Sequence, residues 1–117
     1  MPYNELLADR VREALFHLND VEEKKIFRGL TFMVNGKMCV SIGEDRIMFR
    51  VNPLQSDEIV EKYNCRTMSM KGRDYKGFII VEEEALKNKK VFDYFISLSI
   101  EFNKIAKASP KKKKRTP

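Results

Sequence analysis

The chain has no tryptophan, one histidine and two cysteines, and no apolar run near the about 20 residues that a membrane-spanning helix needs. Each shortage removes a class of protein. Cys39 and Cys65 are too few for the disulfide framework of a small secreted domain. They lack the CxxC spacing and the histidine company of a four-ligand zinc site, so they read as small buried or half-buried thiols. His17 ends an amphipathic segment with no nucleophile motif beside it, which argues against Ser–His or Cys–His catalysis. The glycines, at positions 29, 36, 43, 72 and 77, form neither a GxGxxG fingerprint nor a P-loop, and they stand at strand ends and turns. No apolar segment follows Met1, so no secretory signal is expected, and the default is a cytoplasmic protein with reduced thiols and no membrane attachment.

What remains is a globular composition. The 117 residues suit one domain, 43% of them are hydrophobic and 34% charged, and eight Phe with six Met supply the bulk of a core. The net charge is +6, but the run Lys111, Lys112, Lys113, Lys114 and Arg115 carries five of those charges. The reading is a nearly neutral domain over residues 1–110 and a disordered basic tail over 111–117.

Hydrophobic spacing sets the elements. Residues 4–18 predict an amphipathic helix with Leu7, Val11, Ala14, Leu15 and Leu18 on one face and Asn4 as N-cap. Residues 26–51 predict an antiparallel meander. Asn35-Gly36 is the signature of a type I′ hairpin turn, because both positions need positive φ. A two-residue turn sets Met33 opposite Met38 and Phe32 opposite Cys39. A second turn at Gly43–Asp45 sets Ile42 against Ile47, Val40 against Phe49 and Met38 against Val51; a slip by one residue would break that apolar face. One face then carries Met33, Met38, Val40, Ile42, Ile47, Phe49 and Val51. The other carries Phe32, Val34, Cys39, Ser41, Arg46, Met48 and Arg50, a mixture that implies a face either partly covered or used for contact. A short helix follows Ser56, strands are expected at 66–71 and 77–82, and a last helix spans 89–107. That helix has two adjacent apolar stripes, Val91/Phe95/Leu98/Phe102/Ile105 and Phe92/Ile96/Ile100, a wider arc than a monomer's surface helix needs. The order is α-β-β-β-α-β-β-α: a two-layer α+β fold with a five-stranded antiparallel sheet.

Nothing in the pattern supplies catalysis. Glu82-Glu83-Glu84 does not share one face and lacks the loop spacing of a cation site. Arg28, Arg46, Arg50, Lys71, Arg73 and Lys76, with Tyr75 and Phe78 among them, are weighed as an anion patch, but acids nearly balance them over the domain. No cofactor and no metal is expected.

Several blocks together resemble the N-terminal domain of the TfoX/Sxy competence-regulator family, over about residues 8–110. They are Arg12-Glu13-Ala14-Leu15 with Lys25-Ile26-Phe27-Arg28-Gly29-Leu30, then Phe32 to Val40 with Ile47-Met48-Phe49-Arg50-Val51, then Met70, Gly72-Arg73 and Lys76-Gly77-Phe78-Ile79-Ile80-Val81. Arg28-Gly29 stands where the family commonly has two glycines. Family regulators carry a second, helical domain, in place of which this sequence has its lysine tail. The resemblance implies a fold similar to secretion chaperones and, loosely, a link to transcriptional regulation; it brings no catalytic residue. The expectation is a non-catalytic protein-interaction or regulatory module. It would dimerise or bind a protein partner through Phe32, Val34 and Met48 or through Phe92, Ile96 and Ile100. The alternative is non-specific nucleic-acid association through Lys111–Arg115 by counterion release.

Overall fold

The computed structural model describes residues 3–26 and 29–106. Helix α1 (Glu5–Ala14) begins where expected: the Asn4 side chain accepts the Leu7 N–H at 3.1 Å. Strands β1 (Val21–Ile26), β2 (Gly29–Val34), β3 (Lys37–Ile42) and β4 (Arg46–Arg50) follow as one antiparallel meander. A 3₁₀ turn (Pro53–Gln55) leads into α2 (Ser56–Lys62). After it come β5 (Arg66–Met70), β6 (Arg73–Glu82), the single turn α3 (Glu83–Leu86) and α4 (Lys89–Asn103).

The fold is α+β, as the spacing implied, but the antiparallel sheet has six strands in the order β1-β2-β3-β4-β6-β5, not five. The additional strand is β1. Its sequence, Val-Glu-Glu-Lys-Lys-Ile, shows no alternation of apolar and polar residues, because it is a sheet edge and all but Val21 are exposed. Cross-strand pairing rather than burial makes it a strand.

One core cluster holds the two layers together. The helices contribute Leu7, Ala8, Val11 and Leu15, then Ile59, Leu86, Phe92, Phe95 and Ile96. The sheet contributes Leu30, Phe32 and Val34, Cys39, Val40 and Ile42, Ile47, Phe49 and Val51, and Ile79 and Val81. In every strand but β3 these residues are two apart, so they lie on one face of the sheet. The Phe49 and Phe95 rings stack there, centroids 5.2 Å apart.

The exception in β3 corrects the expected register. Asn35 and Gly36 do take positive φ, 54° and 75°, and Met33 does pair with Met38. One step on, however, Phe32 pairs with Val40 and not with Cys39. Cys39 is the extra residue of a β-bulge. The bulge turns Phe32, Val34 and Cys39 into the core and sends Met33 and Met38 to the other face, the reverse of the expected assignment. Ile42–Ile47 and Val40–Phe49 pair as expected. The ladder ends there, so the expected Met38–Val51 pairing does not form.

The hairpin turn is tied to the last helix. Buried Asn103 donates from Nδ2 to the Val34 carbonyl at 3.0 Å and accepts from Asn35 Nδ2 at 3.1 Å. Lys37 Nζ donates to the carbonyls of Asn103 (2.6 Å) and Ala106 (3.0 Å), setting a cation at the negative end of α4.

Candidate interaction surface

The residues expected to form a contact surface are mostly inside the protein. Phe32 is fully buried and Val34 is 3% exposed, both through the bulge. Phe92 and Ile96 are also buried, because α4 turns Phe92, Phe95, Ile96, Ser99 and Asn103 inward rather than the stripe through Phe102 and Ile105. The outer side of the Phe92 ring is covered as well: the Arg10 guanidinium sits 4.0 Å from its centroid while donating to the Leu86 carbonyl at 2.8 Å. Only Met48 and Ile100 keep partial exposure, and Ile100 packs against the core. The tail residues Lys111, Lys112, Lys113, Lys114 and Arg115 lie outside the described residues.

The sheet face away from the helices is the surface that remains. By the register, Met48 lies opposite Ser41 on one side and Ile80 on the other, and Arg50 lies opposite Phe78. Met33 pairs with Met38 on the same face. Met33, Met48, Phe78 and Ile80 are half-buried and lie outside the core cluster. Between them Thr31 and Ser41 are buried and share a 2.9 Å hydrogen bond between their hydroxyls. Charges frame this face: Glu22 and Lys24 on β1, and Arg46 with the Arg66–Glu82 ion pair towards the other edge. Met48 was the one component of this face among the expected contact residues. Phe78 and Ile80 had a signal in the unbroken run Phe78–Val81, which implies an apolar residue on both faces of β6.

Arg50 sits where the β3–β4 ladder ends. Its guanidinium reaches the Met38 carbonyl at 3.5 Å and lies 5.8 Å from the Phe78 ring and 5.6 Å from the Phe102 ring. Burial lowers its pKa. Burial also pushes the Cys39 thiol up to about 12, against the opposing influence of Arg50. A thiol so far from ionisation is a packing group rather than a nucleophile. Cys65, half-buried, is raised too, by burial.

The other candidate groups are not brought together. His17 is exposed beyond α1. The three consecutive glutamates take separate partners: Glu82 pairs with Arg66, Glu83 accepts from Asn4, and Glu84 meets Lys87. Of the weighed cations, Lys76 pairs with Asp57 at 2.9 Å, Arg73 lies over Tyr75, and Arg28 falls outside the described residues. Among the described residues, no group of three or more His, Cys, Asp or Glu is placed to hold a metal ion, and no helix is long and apolar enough to cross a membrane.

The family model of the TfoX N-terminal domain matches residues 13–103. No curated protein and no solved structure matches the chain.

Proposed function

The chain belongs to the TfoX N-terminal domain family, and from that premise we propose that it is a non-catalytic, cytoplasmic protein-interaction module with a regulatory role. A link to transcription follows from the family resemblance alone, since a fold does not fix a function. The observation that carries the reading is the second sheet face. Met33, Met48, Phe78 and Ile80 present apolar surface that the protein's own helices leave aside. Two of the four are methionines, whose flexible, polarisable side chains fit partner surfaces of varied shape. Charged residues around such a centre match the core-and-rim anatomy of protein interfaces.

The test uses the full chain as bait in an extract of its native host, beside Met48→Asp and Ile80→Asp. The specific partners captured by the native chain are expected to be lost from both variants while thermal unfolding stays cooperative. Capture of the same partners by native chain and variants alike would overturn the reading.

The lysine run supports a second reading, non-specific binding of nucleic acid through Lys111–Arg115. Such binding falls steeply with salt and is expected to vanish from a chain ending at Pro110. Binding unchanged by that truncation removes the tail from consideration.

A further inference from the structure

Among the described residues strand β1 is an edge of the sheet, paired with β2 alone, and its sequence complements its own reverse. Asp20 pairs with Asn35, whose N–H donates to the Asp20 carbonyl at 2.9 Å. In an antiparallel ladder hydrogen-bonded and non-hydrogen-bonded pairs alternate, so Glu22, Lys24 and Ile26 also turn their main-chain groups towards β2. Val21, Glu23 and Lys25 therefore turn theirs outward, a row of donors and acceptors along an exposed edge. Edge strands are commonly protected by charge, and like charges along such an edge would repel a second copy. The charges here do not. The N-terminal half, Glu22-Glu23, is acidic, and the C-terminal half, Lys24-Lys25, is basic.

We infer that β1 is a homodimer interface, at which two copies of this chain join edge to edge about a two-fold axis perpendicular to the sheet. Such an axis runs the strands antiparallel and keeps both helix layers on the same side, so partnered residues must share a face. Any register centred on a residue of β1 satisfies this, but one centred on Glu22 would leave Lys25 unused and set Glu22 against its own copy. A register centred on Lys24 would leave Val21 unused and set Lys24 against its own copy. A register centred on Glu23 uses the outward groups of all of Val21, Glu23 and Lys25: Glu23 meets Glu23 of the second copy, and Val21 meets Lys25 twice. It also sets Glu22 opposite Lys24 twice, on the face away from the helices. The two Glu23 carboxylates that meet at the axis each arrive paired with an arginine, one whose remaining Nη1 also holds Asp9 at 2.7 Å. Each is held by the Arg12 of its own chain, Nε to Oε2 at 2.7 Å and Nη2 to Oε1 at 2.9 Å. Centring on Glu23 is thus the best register by main-chain pairing and by charge.

This inference goes beyond the proposed function and uses a different surface. Met48→Asp and Ile80→Asp leave the β1 edge intact, so either idea can fail alone. The test is sedimentation equilibrium of the full chain over a concentration series. A monomer–dimer equilibrium that weakens with added salt is expected. Glu22→Lys and Lys24→Glu each convert two attractive cross-strand pairs to repulsive ones and are expected to raise the dimer Kd roughly tenfold or more. The double variant Glu22→Lys/Lys24→Glu exchanges the charges and restores the dimer. Lys25→Pro removes an outward N–H that β2 does not use, a substitution an edge tolerates, and abolishes the dimer. If Lys25→Pro fails to fold, the charge-exchange series decides. A native chain that stays monomeric to its solubility limit, or a dimer indifferent to these substitutions, overturns the inference.

Discussion

At the scale of the residue, Gly29 shows how closely two strands approach at the start of β2. A Cβ built on Gly29 would lie 2.1 Å from the Ile42 carbonyl oxygen, which is backbone and cannot swing aside. Gly29→Ala is therefore expected to destabilise the protein by about 1–3 kcal/mol, read as a lower urea midpoint; an unchanged midpoint would mean the strands separate freely. The bidentate Arg12–Glu23 pair ties α1 to β1 and lowers the Glu23 pKa. A depressed folded-state carboxylate pKa contributes stability that is present above the unfolded-state value and is lost as pH falls through the folded-state value. Both side chains are more than a third exposed, 39% and 37%, so water and salt reduce the effect. Native chain is expected to lose more stability than Glu23→Gln as pH drops through and below the ordinary glutamate range. Denaturant unfolding at a series of pH values checks this, and parallel losses would show that the pair adds nothing.

At the scale of the element, the hairpin β2–β3 and the end of α4 form one unit. Asn103 has both functions of its amide used, one by Val34 and one by Asn35. Asn103→Ala leaves the buried Val34 carbonyl short of a donor and is expected to cost about 1–3 kcal/mol. Amide exchange at residues 34–37 should quicken together with exchange in the last turn of α4; faster exchange in only one of them would show that the two are not coupled. Much of this element level is legible in the sequence. Asn35-Gly36 specifies its turn through backbone sterics, Asn4 caps α1, and the pairing of Ile42 with Ile47 follows from the apolar pattern. The bulge and strand β1 are not legible, for separate reasons. The bulge leaves no trace in composition, because Cys39 and Val40 are both apolar and either could pair with Phe32. Strand β1 has no buried face for a pattern to mark, since its partner is the backbone of β2.

At the scale of the whole molecule, the helices cover one side of the sheet, and among the described residues no strand pairs with the outer edge of β1 or of β5. The candidate contact face was half legible in the sequence. Alternation along β3 and β4 separates two faces, and Met48 falls on the outer one, but the bulge exchanges Phe32 and Val34 for Met33. For α4 the spacing shows two adjacent apolar stripes, but which side of the helix turns inward is set by the elements packed against it, which spacing within the helix cannot report. The net charge gives no guide to the contact face, since residues 111–115 account for five units of the net +6.

The bulge also gives the molecule a gauge of its own opening. It carries a thiol that is 1% exposed and barely ionised at neutral pH, while Cys65 is half-buried near the sheet's far edge. A thiol-alkylating reagent should therefore modify Cys65 through small local excursions and Cys39 only when the core comes apart. The expected result is two labelling rates, with that of Cys39 rising in urea at the slope of global unfolding and that of Cys65 nearly flat at low urea. Mass spectrometry of the two cysteine peptides reads both clocks from a single tube, without an added probe; equal rates at low urea would show that the sheet opens around Cys39 before the domain unfolds.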